Sequence, residues 1–170
     1  RKMKGYCHYF VEGADEKRIL DTLKTDMRLI LPGKVEKFNV VQDKLTKNRL
    51  MALKYPTTVI MVFDIDAGNV DILMENIDFL KRQKSQIKDI ICITQVMNLE
   101  EELVRSCRIK NILELTKSRS QKDYKHDLIH IKNLSSRLKE CQFDFSKLWI
   151  MQPENQYKDI KNEADKIKIS

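Results

Sequence analysis

The stretch Thr57-Thr58-Val59-Ile60-Met61-Val62-Phe63, followed directly by Asp64-Ile65-Asp66, decides the fold of this chain. Seven residues rich in β-branched side chains, with apolar residues on both faces, are typical of a central strand in a parallel sheet. Parallel strands need crossover connections, which are usually helices that cover the sheet. The stretch therefore predicts an α/β fold, and it places two carboxylates at the carboxyl end of a buried strand.

Three further strand-like segments agree with this fold. Tyr6–Val11 is aromatic and apolar, Val35–Val41 alternates imperfectly, and Lys88–Thr94 contains a second apolar run. Helical spacing of apolar residues follows the first strand and recurs over about 70–83. Because strands alternate with helices, we expect a mainly parallel, Rossmann-like four-stranded sheet flanked by helices.

The second half of the chain is predicted to be mostly helical. Leu113–Lys139 joins a basic stretch to an amphipathic pattern, Phe145–Ile150 supplies aromatic residues, and the Lys-rich segment from Gln156 onward has the pattern of a frayed helix. A length of 170 residues matches the usual size of one domain. We therefore predict a single domain over 1–170, with a core at about 5–110 and a helical C-terminal part at about 111–170.

Composition narrows the class of protein. Hydrophobic residues make up 42% of the chain and charged residues 34%, which excludes a fully disordered protein. No apolar run reaches the roughly 18 residues of a membrane span, no signal-peptide pattern is present, and the four cysteines form no CxxC pair. We expect a cytoplasmic protein that does not bind membranes. The net charge of +7 favours partners that carry phosphate groups, above all nucleic acid.

Acidic residues recur where the predicted strands end or shortly afterwards. Glu12 follows the first strand, Asp64 and Asp66 follow the central one, and Glu100–Glu102 come soon after the last. The carboxyl ends of parallel strands share one edge of the sheet, where α/β proteins place their sites. Two carboxylates that point the same way repel each other unless a cation neutralises them. Mg²⁺ does so through oxygen ligands.

Each acidic position also has a plain structural interpretation. The two aspartates can cap the following helix, Glu12 can be a solvated loop residue, and acidic residues are common in a first helical turn. Asp15 and Glu16 are interpreted only in this last way, as first-turn residues that suit the helix dipole. The coincidence of several acidic positions at one edge, rather than any one of them, favours a site.

Together these sequences resemble the Toprim domain family. That family has a Glu in a V-E-G context at the end of its first strand and a D-x-D, often D-x-D-x-x-G, after a later strand. The matching sequences are Phe10-Val11-Glu12-Gly13-Ala14-Asp15 and Val62-Phe63-Asp64-Ile65-Asp66-Ala67-Gly68, with the glycine one residue earlier than in the family pattern. The resemblance covers about 6–107 and implies a Toprim-like sheet.

The resemblance implies a nuclease that hydrolyses phosphodiester bonds in DNA or RNA with Mg²⁺ or Mn²⁺. Asp64 and Asp66 would hold the metal, and Glu12 would share it or act as the base on water. The segment 99–103 is similar to the acidic segment of OLD-type and RloB-like nucleases, which adds Glu100 first and Glu102 second as metal ligands. By analogy only, such compact nucleases suggest an anti-phage defence effector that acts with a partner protein or as a homo-oligomer.

Basic residues supply the candidate contacts to the nucleic acid. The same nucleases keep a basic residue beyond the acidic segment, a catalytic role that Lys117 or Lys122 would take here. Backbone phosphates attract nearby lysine and arginine side chains, although each such residue can equally be a solvated surface residue. The phosphate-binding candidates are Lys44, Lys47, Arg49, Arg119 and Lys125.

Two other functions remain open. A non-catalytic nucleic-acid-binding or partner-regulatory module on the same fold would bind without cleaving. A phosphatase of the haloacid dehalogenase type also carries a D-x-D at a strand end, but it needs Thr or Val where Gly68 stands and its motif near the first strand. Metal-dependent cleavage distinguishes the nuclease from the binding module.

Overall fold

The sheet at the centre of the fold is four-stranded and entirely parallel, in the order β2-β1-β3-β4. The fold comes from a computed structural model, which describes residues 5–53, 56–67 and 69–169. The strands are β1 (Tyr6–Val11), β2 (Lys34–Lys37), β3 (Thr57–Asp64) and β4 (Ile87–Gln95). The predicted α/β class, with a parallel four-stranded sheet flanked by helices, is confirmed.

Helices connect the strands and cover both faces of the sheet. In the first half of the chain they are α1 (Ala14–Asp21), continued by a π-helical turn (Thr22–Asp26), α2 (Lys47–Met51), α3 (Val70–Lys81) and α4 (Leu99–Ser106). In the second half they are α5 (Leu113–Thr116), α6 (Gln121–His130) and α7 (Leu134–Glu140). None of the helices within the described ranges is both long and apolar enough to cross a lipid bilayer.

Burial on both faces explains why β3 is an unbroken apolar run. Its residues from Thr57 to Phe63 are buried, and alternate side chains enter two separate cores. Ile60 and Val62 pack with α1 and the C-terminal helices, whereas Met61 packs with α3 and with α2 on the opposite face. A strand that is buried on both faces is apolar throughout, whereas a strand with one exposed face alternates apolar and polar residues.

The strand order reverses between β1 and β3. β1 pairs with β2 on one side and with β3 on the other, and Val11 lies opposite Val62 at the carboxyl ends of the two strands. Glu12 directly follows Val11, and Asp64 lies two residues after Val62, so the two acidic residues meet at one point of the sheet edge. Such a reversal opens the crevice in which α/β proteins bind their ligands.

The C-terminal segment, residues 145–169, packs against the rest of the fold. The prediction of a frayed helix from Gln156 onward is therefore wrong. The segment forms three short 3-10 turns, at Phe145–Lys147, Asn155–Tyr157 and Ala164–Lys166. Trp149, Tyr157 and Ile167 are buried, and Lys168 forms an antiparallel bridge with Ile30. The apolar residues of this segment reach the core from successive tight turns rather than from one helix face.

Asn162 holds this irregular segment together. Its buried side-chain amide donates hydrogen bonds to the carbonyl oxygens of Trp149 (2.8 Å) and Met151 (3.1 Å), and its Oδ1 accepts one from the Ala164 backbone (3.2 Å). Where a buried segment lacks the regular backbone hydrogen bonds of a helix, side chains must provide hydrogen-bond partners for its amide and carbonyl groups.

We expect Asn162→Ala to lower the free energy of unfolding by about 2–3 kcal/mol, because it leaves buried carbonyl groups without donors. Lys161→Ala, at the exposed neighbouring position, is the matched control and should change it by less than about 0.5 kcal/mol. Urea denaturation of the three proteins measures both effects. Equal midpoints for Asn162→Ala and wild type would contradict this role.

Candidate metal centre

Three carboxylates meet at the carboxyl edge of the sheet. Glu12, Glu16 and Asp64 each offer one oxygen, and these oxygens all lie within 4.8 Å of one another. Glu12 follows β1, Glu16 lies in the first turn of α1, and Asp64 ends β3. The cluster therefore occupies the point where the strand order reverses, as the sequence predicts for Glu12 and Asp64.

Backbone and side-chain donors fix the two carboxylates that end the strands. Glu12 Oε1 accepts a hydrogen bond of 2.8 Å from the backbone amide of Asp64. Asp64 Oδ1 accepts one of 2.7 Å from Gln95 Nε2 and one of 3.0 Å from the backbone amide of Leu99. One oxygen of each carboxylate is thus committed to the protein, and this orients the other.

Glu16 enters the cluster because the chain turns sharply after β1. Gly13 separates the strand from α1, and a Cβ atom at this position would lie 3.3 Å from Asp15 Oδ1 and 3.4 Å from Glu16 Oε1. The absence of a side chain at Gly13 leaves room for both carboxyl groups beside Glu12. Asp15 and Glu16 are only 5% and 3% exposed, which is unusual for first-turn acidic residues.

Burial raises the pKa values of all three cluster carboxyls. Burial, and then the charges of Asp66 and Asp15, raise the pKa of Glu12 to about 7 against the effect of its hydrogen bond from Asp64. Burial and then the charge of Glu12 raise the pKa of Asp64 to about 8. Burial, with a hydrogen bond shared with Asp15, raises the pKa of Glu16 well above its usual range. The hydrogen-bond donors of the protein therefore do not fully offset the cost of ionising these carboxyls.

Two further predicted ligands lie around the cluster. Asp66 is exposed, and its Oδ2 accepts a hydrogen bond of 3.1 Å from Asn98 Nδ2. Glu100 is half-buried in the first turn of α4; its charge raises the pKa of Asp64, and burial raises its own pKa. Both can contribute to a site centred on Glu12 and Asp64, but neither belongs to the cluster of three carboxylates.

The structure gives Glu102 a different role from the predicted metal ligand. The residue is fully buried, and its two carboxylate oxygens accept hydrogen bonds from the backbone amides of Val96 (2.9 Å) and Trp149 (3.0 Å). Arg105 forms an ion pair with it at 3.2 Å. With both oxygens engaged by backbone donors, Glu102 ties α4 to the C-terminal segment.

Residues of the C-terminal segment also help to position the Asp64 side chain and the loop that follows it. Trp149 Nε1 donates a hydrogen bond of 3.1 Å to Gln95 Oε1, and the same amide group donates to Asp64 through its Nε2. The loop after Asp64 is held by two more bonds, from Asn155 Nδ2 to the Ile65 carbonyl (3.2 Å) and from the Tyr157 hydroxyl to the Ala67 carbonyl (2.8 Å). Residues about 90 positions away in sequence therefore set the position of the D-x-D loop.

Of the predicted basic residues, Lys125 comes closest to the cluster. Its Nζ lies 4.0 Å from Asp15 Oδ2, and the charge of Asp15, followed by those of Glu100 and Glu16, raises its pKa. Lys117, Arg119 and Lys122 are exposed between α5 and the first turn of α6.

Two of the three predicted phosphate-binding residues before β3 form ion pairs with other parts of the protein. Lys44 pairs with Glu75 at 3.0 Å, Arg49 pairs with Glu36 and stacks on Phe38, and Lys47 is exposed at the start of α2. The core on the α2 and α3 face lies on the opposite side of the sheet from α1 and α6. Gly68, the last position of the D-x-D motif, lies outside the described residues.

Glu16 is the candidate ligand that sequence reasoning missed. Acidic residues so often begin helices that Glu16 carries no signal by itself. The available signal was its spacing, because a carboxylate in the first helical turn after a strand–glycine junction falls beside the last residue of the strand. Only the folded structure shows that Glu16 is buried and that its carboxylate lies beside that of Asp64.

The donor set fits a hard divalent cation. Carboxylate oxygens are the ligands that Mg²⁺ and Mn²⁺ prefer, and a divalent ion would offset the charge that burial makes unfavourable here. Within the described part of the chain, this is the one group of three or more acidic, histidine or cysteine side chains close enough to hold an ion.

Comparisons with protein-family models, curated proteins and solved structures found no match.

The raised pKa of Asp64 predicts how stability depends on pH. A carboxyl with a pKa near 4 unfolded and about 8 folded stabilises the folded state below pH 4, and this contribution is lost as the pH rises to about 8. In EDTA we therefore expect the Tm of wild type to fall between pH 5 and 8 by about 3 °C or more relative to Asp64→Asn.

Asp71→Asn, at an exposed position of α3, is the matched control and should follow the wild-type curve. Added Mn²⁺ should remove most of the wild-type decrease, because the metal binds the ionised form. Thermal unfolding across this pH range tests both points. Parallel curves for wild type and Asp64→Asn would contradict the burial of an unfavourable charge.

Proposed function

We propose that this protein is a divalent-metal-dependent nuclease that hydrolyses phosphodiester bonds in DNA or RNA. The observation that carries the proposal is the approach of Glu12, Glu16 and Asp64 oxygens to within 4.8 Å at the reversal point of a parallel sheet. The net charge of +7 supports a polyanionic substrate. An acidic cluster inside a basic chain needs a cation before such a substrate can approach.

Glu16 and Asp64 are the residues that would hold Mg²⁺ or Mn²⁺, with Asp66 and Glu100 at the edge of the site. A bound ion of this kind supplies an activated water and stabilises the charge that develops at the phosphorus. Glu12 can accept a proton from water at its Oε2, since its Oε1 is committed to the Asp64 amide. Its pKa of about 7 suits a general base at neutral pH.

Lys125 is the basic residue that we propose contacts a phosphate group of the substrate. Its side chain is largely exposed, and its ammonium group lies 4.0 Å from the carboxylate of Asp15, the residue next to Glu16. A lysine in this position can pair with a phosphate oxygen that a metal draws into the site. Lys122 is three residues away on the same helix and so on an adjoining part of its surface.

The Toprim family is the finer assignment that we propose for the fold. It rests on the V-E-G and D-x-D sequences and on the meeting of Glu12 and Asp64 at adjacent strand ends. The all-parallel sheet is compatible with it. The alternative, a non-catalytic binding module on this fold, would retain the basic surface but not the metal-dependent chemistry.

We expect wild type to cleave at least one of labelled single-stranded DNA, duplex DNA and RNA with Mg²⁺ or Mn²⁺, and not in EDTA. Asp64→Asn and Glu16→Gln should each lower the cleavage rate about 100-fold or more, because each removes a charge from the cluster that holds the ion. Gel assays of cleavage products measure the rates.

Asp78→Asn, at an exposed position of α3, is the matched control and should cleave like wild type. Binding that weakens steeply with salt, without cleavage under any metal condition, would support the binding module instead. Cleavage that survives both charge-removing variants would show that the cluster is structural.

Lys125→Met should slow cleavage about tenfold by removing one ionic contact to phosphate, a contact worth about 1.5 kcal/mol. The same variant should bind Mn²⁺ slightly more tightly than wild type, since a cation that repels the metal is gone. Lys84→Met, at an exposed position after α3, is the control for a general loss of positive charge. Slower cleavage with weaker Mn²⁺ binding would point to distortion of the site instead.

A further inference from the structure

A buried hydroxyl without a protein partner lies next to the carboxylate cluster. Tyr124, on α6, is fully buried, and its hydroxyl has no hydrogen-bond partner among the described residues. A buried polar group normally finds a partner, because leaving it unpaired is costly. The adjacent residue, Lys125, approaches Asp15 at 4.0 Å, so this part of α6 faces the acidic edge.

The residues around Tyr124 indicate what kind of group its hydroxyl can bind. α6 packs against α1, the helix that carries Asp15 and Glu16. Burial first, and then the charges of Glu100, Asp15, Glu16 and Asp64, raise the pKa of the phenol, so the hydroxyl remains a protonated donor.

Other buried tyrosines of this chain have their partners in the protein. The Tyr9 hydroxyl donates to the Leu31 carbonyl at 2.6 Å, and the Tyr157 hydroxyl donates to the Ala67 carbonyl at 2.8 Å. Tyr124 differs from them in that its hydroxyl has no partner among the described residues and feels the charges of the carboxyl groups that would hold a cation. A donor at this place is suited to an oxygen that arrives with the metal.

We propose that the Tyr124 hydroxyl donates a hydrogen bond to a water ligand of the bound cation, at the position that a phosphate oxygen of the substrate would take during the reaction. This inference rests on the proposed metal site and adds to it a neutral donor from α6. The hydroxyl would hold that oxygen beside Glu16 and Asp64, and it would keep its proton throughout.

The test compares Tyr124→Phe with Tyr9→Phe, which removes a hydroxyl of the same kind from the same core. The probe is Mn²⁺ alone, with its Kd measured by calorimetry and the Tm measured in EDTA. We expect Tyr124→Phe to bind Mn²⁺ about tenfold more weakly, the effect of one hydrogen bond to a charged site, with little change of Tm in EDTA. Tyr9→Phe should bind Mn²⁺ normally but unfold about 2–8 °C lower.

A spectroscopic readout separates this role from a purely structural one. Adding Mn²⁺ to wild type should perturb tyrosine absorption, and the perturbation should vanish in Tyr124→Phe and persist in Tyr9→Phe. Wild-type Mn²⁺ affinity in Tyr124→Phe, or a loss of Tm in EDTA equal to that of Tyr9→Phe, would overturn the role of Tyr124 and leave the nuclease proposal intact. Failure of wild type to bind Mn²⁺ would overturn both.

Discussion

The rest of this structure depends on one constraint, which is that three carboxyl groups with reduced hydration lie close together at one edge of the sheet. Parallel pairing of β1 with β3 brings Glu12 and Asp64 together, and the turn at Gly13 adds Glu16. The ionised form of each group would be more stable in water, as the raised pKa values of the three groups indicate. The surrounding donors do not neutralise this charge. They only fix where it lies, which leaves the cluster suited to a divalent cation.

The elements that hold this arrangement come from distant parts of the chain. The amide of Gln95 links Asp64 to the indole of Trp149, and Glu102 links α4 to the backbone of the same tryptophan. A carboxylate with fixed geometry binds metal with a smaller loss of side-chain entropy than a mobile one. The C-terminal segment therefore contributes to the geometry of the candidate centre without supplying a candidate ligand of its own.

The sequence predicted the sheet well and the candidate site in part, for physical reasons that differ between residues. The apolar run of β3 and the acidic residues after it could be recognised because strand ends share an edge in any parallel sheet. The roles of Glu100 and Glu102 depend on helical phase: Leu99 and Leu103 define the buried face of α4, and Glu102 lies on that face. The packed C-terminal turns could not be predicted, because Asn162 and Trp149 stabilise them through contacts that no local pattern encodes.

The long-range bonds to the D-x-D loop have a consequence for the order of assembly during synthesis. Glu12 and Asp64 leave the ribosome early. The residues that fix the strand end and its loop, which are Trp149, Asn155 and Tyr157, follow about 90 residues after Asp64. The contacts that fix the acidic edge thus cannot all form until these residues have been made. Under the proposed nuclease function, a nascent chain close to messenger and ribosomal RNA would carry the carboxylates before it could position them.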